Sequence, residues 1–236
     1  MTPDTRPPTS DDEELLEAET AVIASVYNDD SRLQRIDAEL RTGFRALAHI
    51  GKAVSIFGSA RTPPEHPEYL AAREAARRLG AEGFAIITGG GPGIMEAANH
   101  GAREAGVPSI GLDIELPHEQ AMNRWVDLPL TYHYFFTRKV MFVRYASAFV
   151  VFPGGFGTLD ELFEAATLRQ TEKIRHFPIV LVGTTYWSGL LDWLRGPVLE
   201  GGKIVQTDID RLYLTDDLAE VVEVIDAVEH RRPRAA

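Results

Sequence analysis

From residue 53 onward, short and nearly uninterrupted apolar runs alternate with longer segments of helical period, and that alternation restricts the fold more than any other feature. The runs are "AVSIFGSA" (53–60), "FAIITGG" (84–90), "PSIGLDI" (108–114), "AFVVF" (148–152) and "FPIVLVG" (177–183). Helical segments stand between and after them: 67–83, 93–106, 137–147, Thr158 to Gln170, most of 186–202, and 215–231. Strands apolar on both faces must be covered on both faces, which points to a parallel sheet with helices above and below. The expectation is a doubly wound, Rossmann-like α/β fold, with ligands beyond the carboxyl ends of the strands. "RWVDLPLTYHY" (124–134) is mixed and reads as a short edge strand.

Ahead of this unit the pattern changes. Residues 1–11 are proline-rich and polar and read as a disordered tail. Residues 12–50 form a helical extension, in which Leu33, Ile36, Leu40, Phe44, Leu47 and Ile50 recur at intervals of three or four. Two helices are expected, broken near "YNDDS" with Asp30 or Ser31 as cap, packing on the main domain or a partner subunit. The Rossmann-like unit is assigned to 51–231 and a short tail to 232–236. With no cysteine there is no disulfide, thiolate metal site or cysteine nucleophile. No apolar run approaches the roughly 18 residues of a membrane span, and the N-terminus lacks the apolar core of a signal peptide. A soluble, cytoplasmic protein is expected. The net charge of −11 disfavours a nucleic-acid surface but not one small phosphate, which a few backbone amides and an arginine can hold.

Two junctions invite such a phosphate. "FAIIT" runs into "GGGPGIMEAAN", and "AFVVF" runs into "PGGFGTLDE". Glycine at a strand-to-helix junction lets an anion approach uncapped first-turn amides at the positive end of the helix dipole. A tight turn would need glycine as well, so either junction alone says little. Familiar alternatives are absent: Ile94 stands where G-x-G-x-x-G needs its third glycine, and there is no G-x-x-x-x-G-K-[ST] and no G-x-S-x-G. The seven histidines fall in neither H-x-x-x-H nor H-E-x-x-H spacing, so no metal is expected.

These residues carry a resemblance. "PGGFGTLDE" is similar to the P-G-G-x-G-T-x-x-E signature of the LOG ("Lonely Guy") family, "TGGGPGIMEAAN" to its other glycine loop, and "FTRK" to its Arg-Lys pair, over about Ala53 to Gly183. Members of the family were once described as lysine decarboxylases; the characterised ones are phosphoribohydrolases that release base and ribose 5-phosphate from AMP or its N6-modified forms, which in plants and some bacteria activates cytokinins. The resemblance implies no cofactor, a purine nucleoside monophosphate as partner, and a homodimer or larger assembly. It implicates Arg138 and Glu161 as catalytic. It further implicates Lys139, Gly154, Gly155, Gly157, Thr158 and Thr167, and Gly90, Gly91 and Gly93 of the first loop, as substrate-binding, together with Glu119 in "LPHEQ". The helical extension and "HYFFTRKVMF" in place of "MHxRKAEM" depart from the short plant form and match the longer bacterial type.

Glycosidic hydrolysis of a nucleotide needs an anchored phosphate, a carboxylate for an oxocarbenium-like sugar or its attacking water, and a donor for the departing base. Glu161, read as lying in the first turn after the loop, suits the carboxylate role; a solvated helix-start glutamate is the plain alternative. Asp160 is about 100° round the helix and reads as a cap, while Glu164 either supports Glu161 or faces solvent. Arg138 could grip phosphate or leaving base, and Lys139 points elsewhere if the segment is helical. Ser59, and Met95 with Glu96, sit at strand ends and could touch base or ribose, Met95 reading equally as a core residue, and Asn99 could face either way. "TYHYFF" could stack a purine but is better read as packing. Two rivals remain: a nucleotide-sensing module without turnover, and a pyridoxal-dependent decarboxylase, for which only Lys52, Lys139, Lys173 and Lys203 are available.

Overall fold

The structure, a computed structural model, describes residue 12 and residues 22–115 and 121–230. Its centre is a seven-stranded sheet built from β1 (Ala53–Phe57), β2 (Ala85–Thr88), β3 (Ser109–Ile114), β4 (Leu128–Tyr132), β5 (Ala148–Val151), β6 (Ile179–Val182) and β7 (Leu212–Thr215). The order is β4-β3-β2-β1-β5-β6-β7, and every pair is parallel. The helices are α1 (Val22–Leu47), α2 (Pro67–Ala81), α3 (Ile94–Ala105), α4 (Phe135–Tyr145), α5 (Phe156–Gln170), α6 (Thr184–Trp193), α7 (Gln206–Ile209) and α8 (Leu218–Glu229). A π-helical turn, Leu194–Val198, follows α6 where Pro197 has no amide to donate and Gly196 leaves helical geometry.

Successive strand residues feed opposite cores, as the apolar runs require. Phe149 and Val151 of β5 pack with α4, α5 and α6 through Met141, Phe142, Leu162 and Trp187. Ala148 and Val150 pack with α2, α3 and α8 through Leu79, Ile94, Ala98 and Ile225. Burying each large side chain contributes about 1.5–3 kcal/mol, so both layers hold the sheet. Among the described residues, no helix is long and apolar enough to cross a membrane.

Three expectations are corrected here. The helix of the extension runs unbroken through "YNDDS": that stretch holds neither Pro nor Gly, and Arg32 pairs with Asp29 at 3.2 Å within one turn. The second is "LYLT", unrecognised in the sequence because only Thr215 of β7 is buried, at the sheet edge. Third, α5 begins two residues earlier than read, at Phe156, since Gly157 is accommodated in the helix. The mixed segment around 128–132 does form an edge strand, β4. The extension lies on the main domain: Leu47 is buried, and a Cβ on Gly43 would lie 2.7 Å from Met141 Sδ and Tyr132 Oη.

Candidate active site

A cleft of about 660 Å³ opens at the carboxyl ends of β1, β2 and β5, where chain order reverses in the sheet. Sites of roughly 300–1,000 Å³ take small organic ligands, and a mononucleotide falls in that range. Ser59 and Arg61 leave β1, Gly89 and Met95 follow β2, Phe135 and Arg138 come from α4, and Gly155 to Glu161 from the start of α5.

Gly155 is the N-cap of α5; no side chain caps the helix and its first turn holds no acid. The first-turn amides therefore keep their capacity for an anion at the positive end of the dipole. The loop before them is braced, with Tyr186 Oη donating to Gly154 O at 2.6 Å and Ser59 N to Pro153 O at 2.9 Å. Gly154 must lack a Cβ, which would overlap the buried Thr158 hydroxyl. Asp160 and Glu161 belong to the second turn. Asp160 is not a cap; it pairs with Lys139 Nζ at 2.9 Å.

Lys139 also pairs with Glu164 at 2.8 Å, so it holds the two acids that flank Glu161 and does not line the cleft. Burial works to lower its pKa, and Glu164 and Asp160 more than reverse this. Glu161 itself is 6% exposed, and its Oε2 has no hydrogen-bond partner. Burial pushes its pKa up to about 7, against the pull of Lys139 and Arg138. A carboxyl so poised exchanges a proton near neutrality.

Arg138 donates from Nε to Leu112 O at 2.7 Å and lies with its Cζ 5.2 Å from the Phe142 ring. Its pKa is held below the usual value by burial, opposed by Glu161 and Asp113, yet a guanidinium remains a cation. Gly89 makes room for it, because a Cβ there would overlap its Nη2.

The first glycine loop has a different task. Gly90, Gly91 and Gly93 do not line the cleft. Asn123 Nδ2 donates to Gly90 O at 2.9 Å and Gly91 O at 3.0 Å, and also to Asn99 Oδ1 at 2.9 Å. Asn99, fully buried, accepts from Thr88 Oγ1 at 2.6 Å and donates to Ser109 Oγ at 2.9 Å. Gly93 has φ +68, and a Cβ on it would strike the Ser59 carbonyl. Asn99 thus faces inward, under the loop.

The structure brings Ser59, Met95, Arg138, Gly155, Gly157, Thr158 and Glu161 to one cleft, and Gly154 directly beneath it. It does not bring Thr167, whose hydroxyl donates to Phe163 O at 2.7 Å beside a separate apolar groove of about 110 Å³. Thr167 stands about 120° round α5 from Glu161. Glu119 lies outside the described residues. "TYHYFF" divides: Tyr132 and Tyr134 are buried, whereas Phe135 is 42% exposed and lines the cleft. Sequence reasoning missed Arg61 and Phe156, which is 91% exposed at the mouth. The signals were faint: an arginine two residues past Ser59, and an aromatic between two glycines.

Fold and site together define a doubly wound parallel α/β protein whose switch-point cleft joins uncapped helix amides to a buried, unpaired glutamate. Residues 95–225 match the family model described as "Possible lysine decarboxylase". The chain belongs to that family, the LOG family. A Mycobacterium tuberculosis (strain ATCC 25618 / H37Rv) relative named cytokinin riboside 5'-monophosphate phosphoribohydrolase is 31% identical over 166 residues, covering 67% of this chain and 86% of the relative. An Escherichia coli K12 relative named pyrimidine/purine nucleotide 5'-monophosphate nucleosidase is 31% identical over 130 residues, 49% of this chain and 28% of that one. Among solved structures, the molybdenum cofactor carrier protein of Chlamydomonas reinhardtii superposes with TM-score 0.58 at 21% identity, covering 76% of this chain and 98% of that one, a likeness of fold.

Proposed function

We propose that this protein hydrolyses the N-glycosidic bond of AMP or an N6-modified AMP, giving the free base and ribose 5-phosphate. One observation carries the reading: Glu161 is buried in the cleft with an oxygen unpartnered and a pKa of about 7. The 5′-phosphate docks on the uncapped amides of α5, and that remote binding holds the sugar beside Glu161. Glu161 takes a proton from a water whose oxygen bonds to C1′ as the C1′–N9 bond breaks. The bond pair leaves on the purine, Arg138 donates hydrogen bonds to it, and the proton ends on a purine nitrogen. Lys139 supports the site indirectly by holding Asp160 and Glu164.

A sensing module without turnover has no use for an unpaired buried carboxylate, which only costs it stability. A decarboxylase needs a lysine with a lowered pKa in the cleft, and the only lysine beside the site is raised and doubly paired. The same proposal includes a cytoplasmic homodimer acting on a small molecule, for which exposed Phe136, Val140 and Phe163 on α4 and α5 supply apolar surface. The relatives' names support the reaction class, and the proposal extends it to cytokinin activation. The test is chromatography of products from AMP, its N6-isopentenyl derivative, GMP and CMP. Base released from a purine monophosphate by the wild type and not by Glu161→Gln is expected. No release from any of them would end the reading.

A further inference from the structure

The helix that carries Arg138 has no cap of its own. Its N-cap residue, Tyr134, makes no side-chain capping bond, and its first turn contains no acid. Helix starts leave amides that need partners, and here the Phe135 amide of the first turn and the His133 amide just ahead of the N-cap find theirs far upstream. Glu39 of α1, 94 residues before His133, accepts from the His133 amide at 2.9 Å through Oε1. The His133 ring Nδ1 lies 2.8 Å from the same oxygen. Glu39 Oε2 accepts from the Thr137 hydroxyl at 2.6 Å. Asp12, also in the extension, accepts from the Phe135 amide at 3.2 Å.

Glu39 is only 8% exposed, and Thr137 is fully buried and adjoins Arg138. The first turn's own bonds converge on Tyr134 O, which the Arg138 amide reaches at a long 3.4 Å and the Thr137 hydroxyl at 2.8 Å, so that hydroxyl is shared between the turn and Glu39. A carboxylate at this end also meets the positive pole of α4. His133 Nε2 reaches Glu115 at 2.8 Å, which ties the same corner to the residue following β3.

We propose that Glu39 is the positioning residue for Arg138, so that the N-terminal helix is a working part of the active centre. Without it, the His133 amide loses its partner, and the Thr137 hydroxyl is left with Tyr134 O alone. The first turn of α4 then loosens and the guanidinium leaves its place beside Glu161. Misplacement by about 1 Å is enough to cost on the order of 10²-fold in rate. The inference rests on the glycosidase reading of the cleft, but its geometry is separate from that reading.

The experiment is a double-mutant cycle in the full chain: Glu39→Ala, Arg138→Ala and both together, with Glu39→Gln alongside. Helix α1 is anchored independently by Gly43 and Leu47, so the variants should retain wild-type circular dichroism. Glu39→Ala is expected to lower kcat for AMP about 30-fold with KM changed less than about threefold. Glu39→Gln, which keeps one acceptor, should recover at least a third of that loss on a logarithmic scale. In the Arg138→Ala background, Glu39→Ala should cost less than about twofold more. Equal losses in both backgrounds, or unchanged kcat, would overturn the proposal. Should Glu39→Ala not fold, the Glu39→Gln cycle decides by the same comparison of losses. If the wild type turns over no nucleotide, the glycosidase reading fails by itself. The positioning role is then read from AMP affinity by calorimetry: Glu39→Ala must weaken it as Arg138→Ala does, and an unchanged affinity refutes it.

Discussion

Glutamine in place of Glu161 keeps the outline of the side chain and removes its charge. The native carboxyl is buried with an oxygen unpartnered, and its pKa rises from 4.5 to about 7, chiefly because burial penalises the charged form. At about 1.4 kcal/mol per pH unit, that rise corresponds to roughly 3 kcal/mol. Between about pH 4.5 and 7 the folded protein binds more protons at this group than the unfolded chain does, so its stability falls as pH rises through that window. Below the window the carboxyl is neutral in both states and carries no penalty; above it the penalty is constant. Glutamine never titrates. Urea unfolding should therefore give closely similar midpoints for wild type and Glu161→Gln near pH 4, a gap opening through pH 6, and a variant more stable by up to about 3 kcal/mol at pH 8. The same variant should lose about 10²–10⁴-fold in base release from AMP. A stability gap independent of pH, or a wild type favoured at pH 8, would refute the assignment of Glu161 as a destabilised, functional carboxylate.

Arg138→Lys should lower kcat/KM for AMP about 10²-fold in steady-state assays, because an ammonium cannot keep the Leu112 carbonyl bond and also present a planar donor pair to the cleft. The signature glycines should separate in paired calorimetric and melting experiments. Gly154→Ala forces a Cβ against Thr158 and should cost about 1–3 kcal/mol of stability along with AMP binding. Gly157→Ala meets nothing within 4 Å and favours the helix, so it should leave the melting temperature equal or higher while weakening AMP by crowding the anion site. Asn99→Ala strips partners from Thr88, Ser109 and Asn123, and should destabilise by about 2–4 kcal/mol in urea unfolding.

The sheet was legible because β1, β2, β3, β5 and β6 are buried on both faces, which leaves nearly unbroken apolar runs. The edge strand β7 escaped because half-burial lets charged neighbours blur its pattern. Lys139 was expected to point away from Arg138 once α4 was taken as a helix, and its pairing with Asp160 and Glu164 follows from that rotation. Glu161 could be singled out only through the signature around it; its burial and lack of a partner are products of packing by α4 and α5. Glu39 could not be singled out at all. Nothing in its own helix distinguishes it from other polar positions, since its partners are 94 and 98 residues away. Arg61 and Phe156 share that difficulty, because exposure at a mouth is a property of the assembled sheet.

One consequence follows from the strand order. β1 separates β2 from β5, so the two glycine turns are held apart by two inter-strand steps, roughly 10 Å in all. That gauge belongs to backbone hydrogen bonding and cannot be reset by exchanging side chains in either turn. Descendants of this chain that come to accept a bulkier or smaller base must change at the lip, where Arg61, Phe135 and Phe156 stand, while the floor keeps its width.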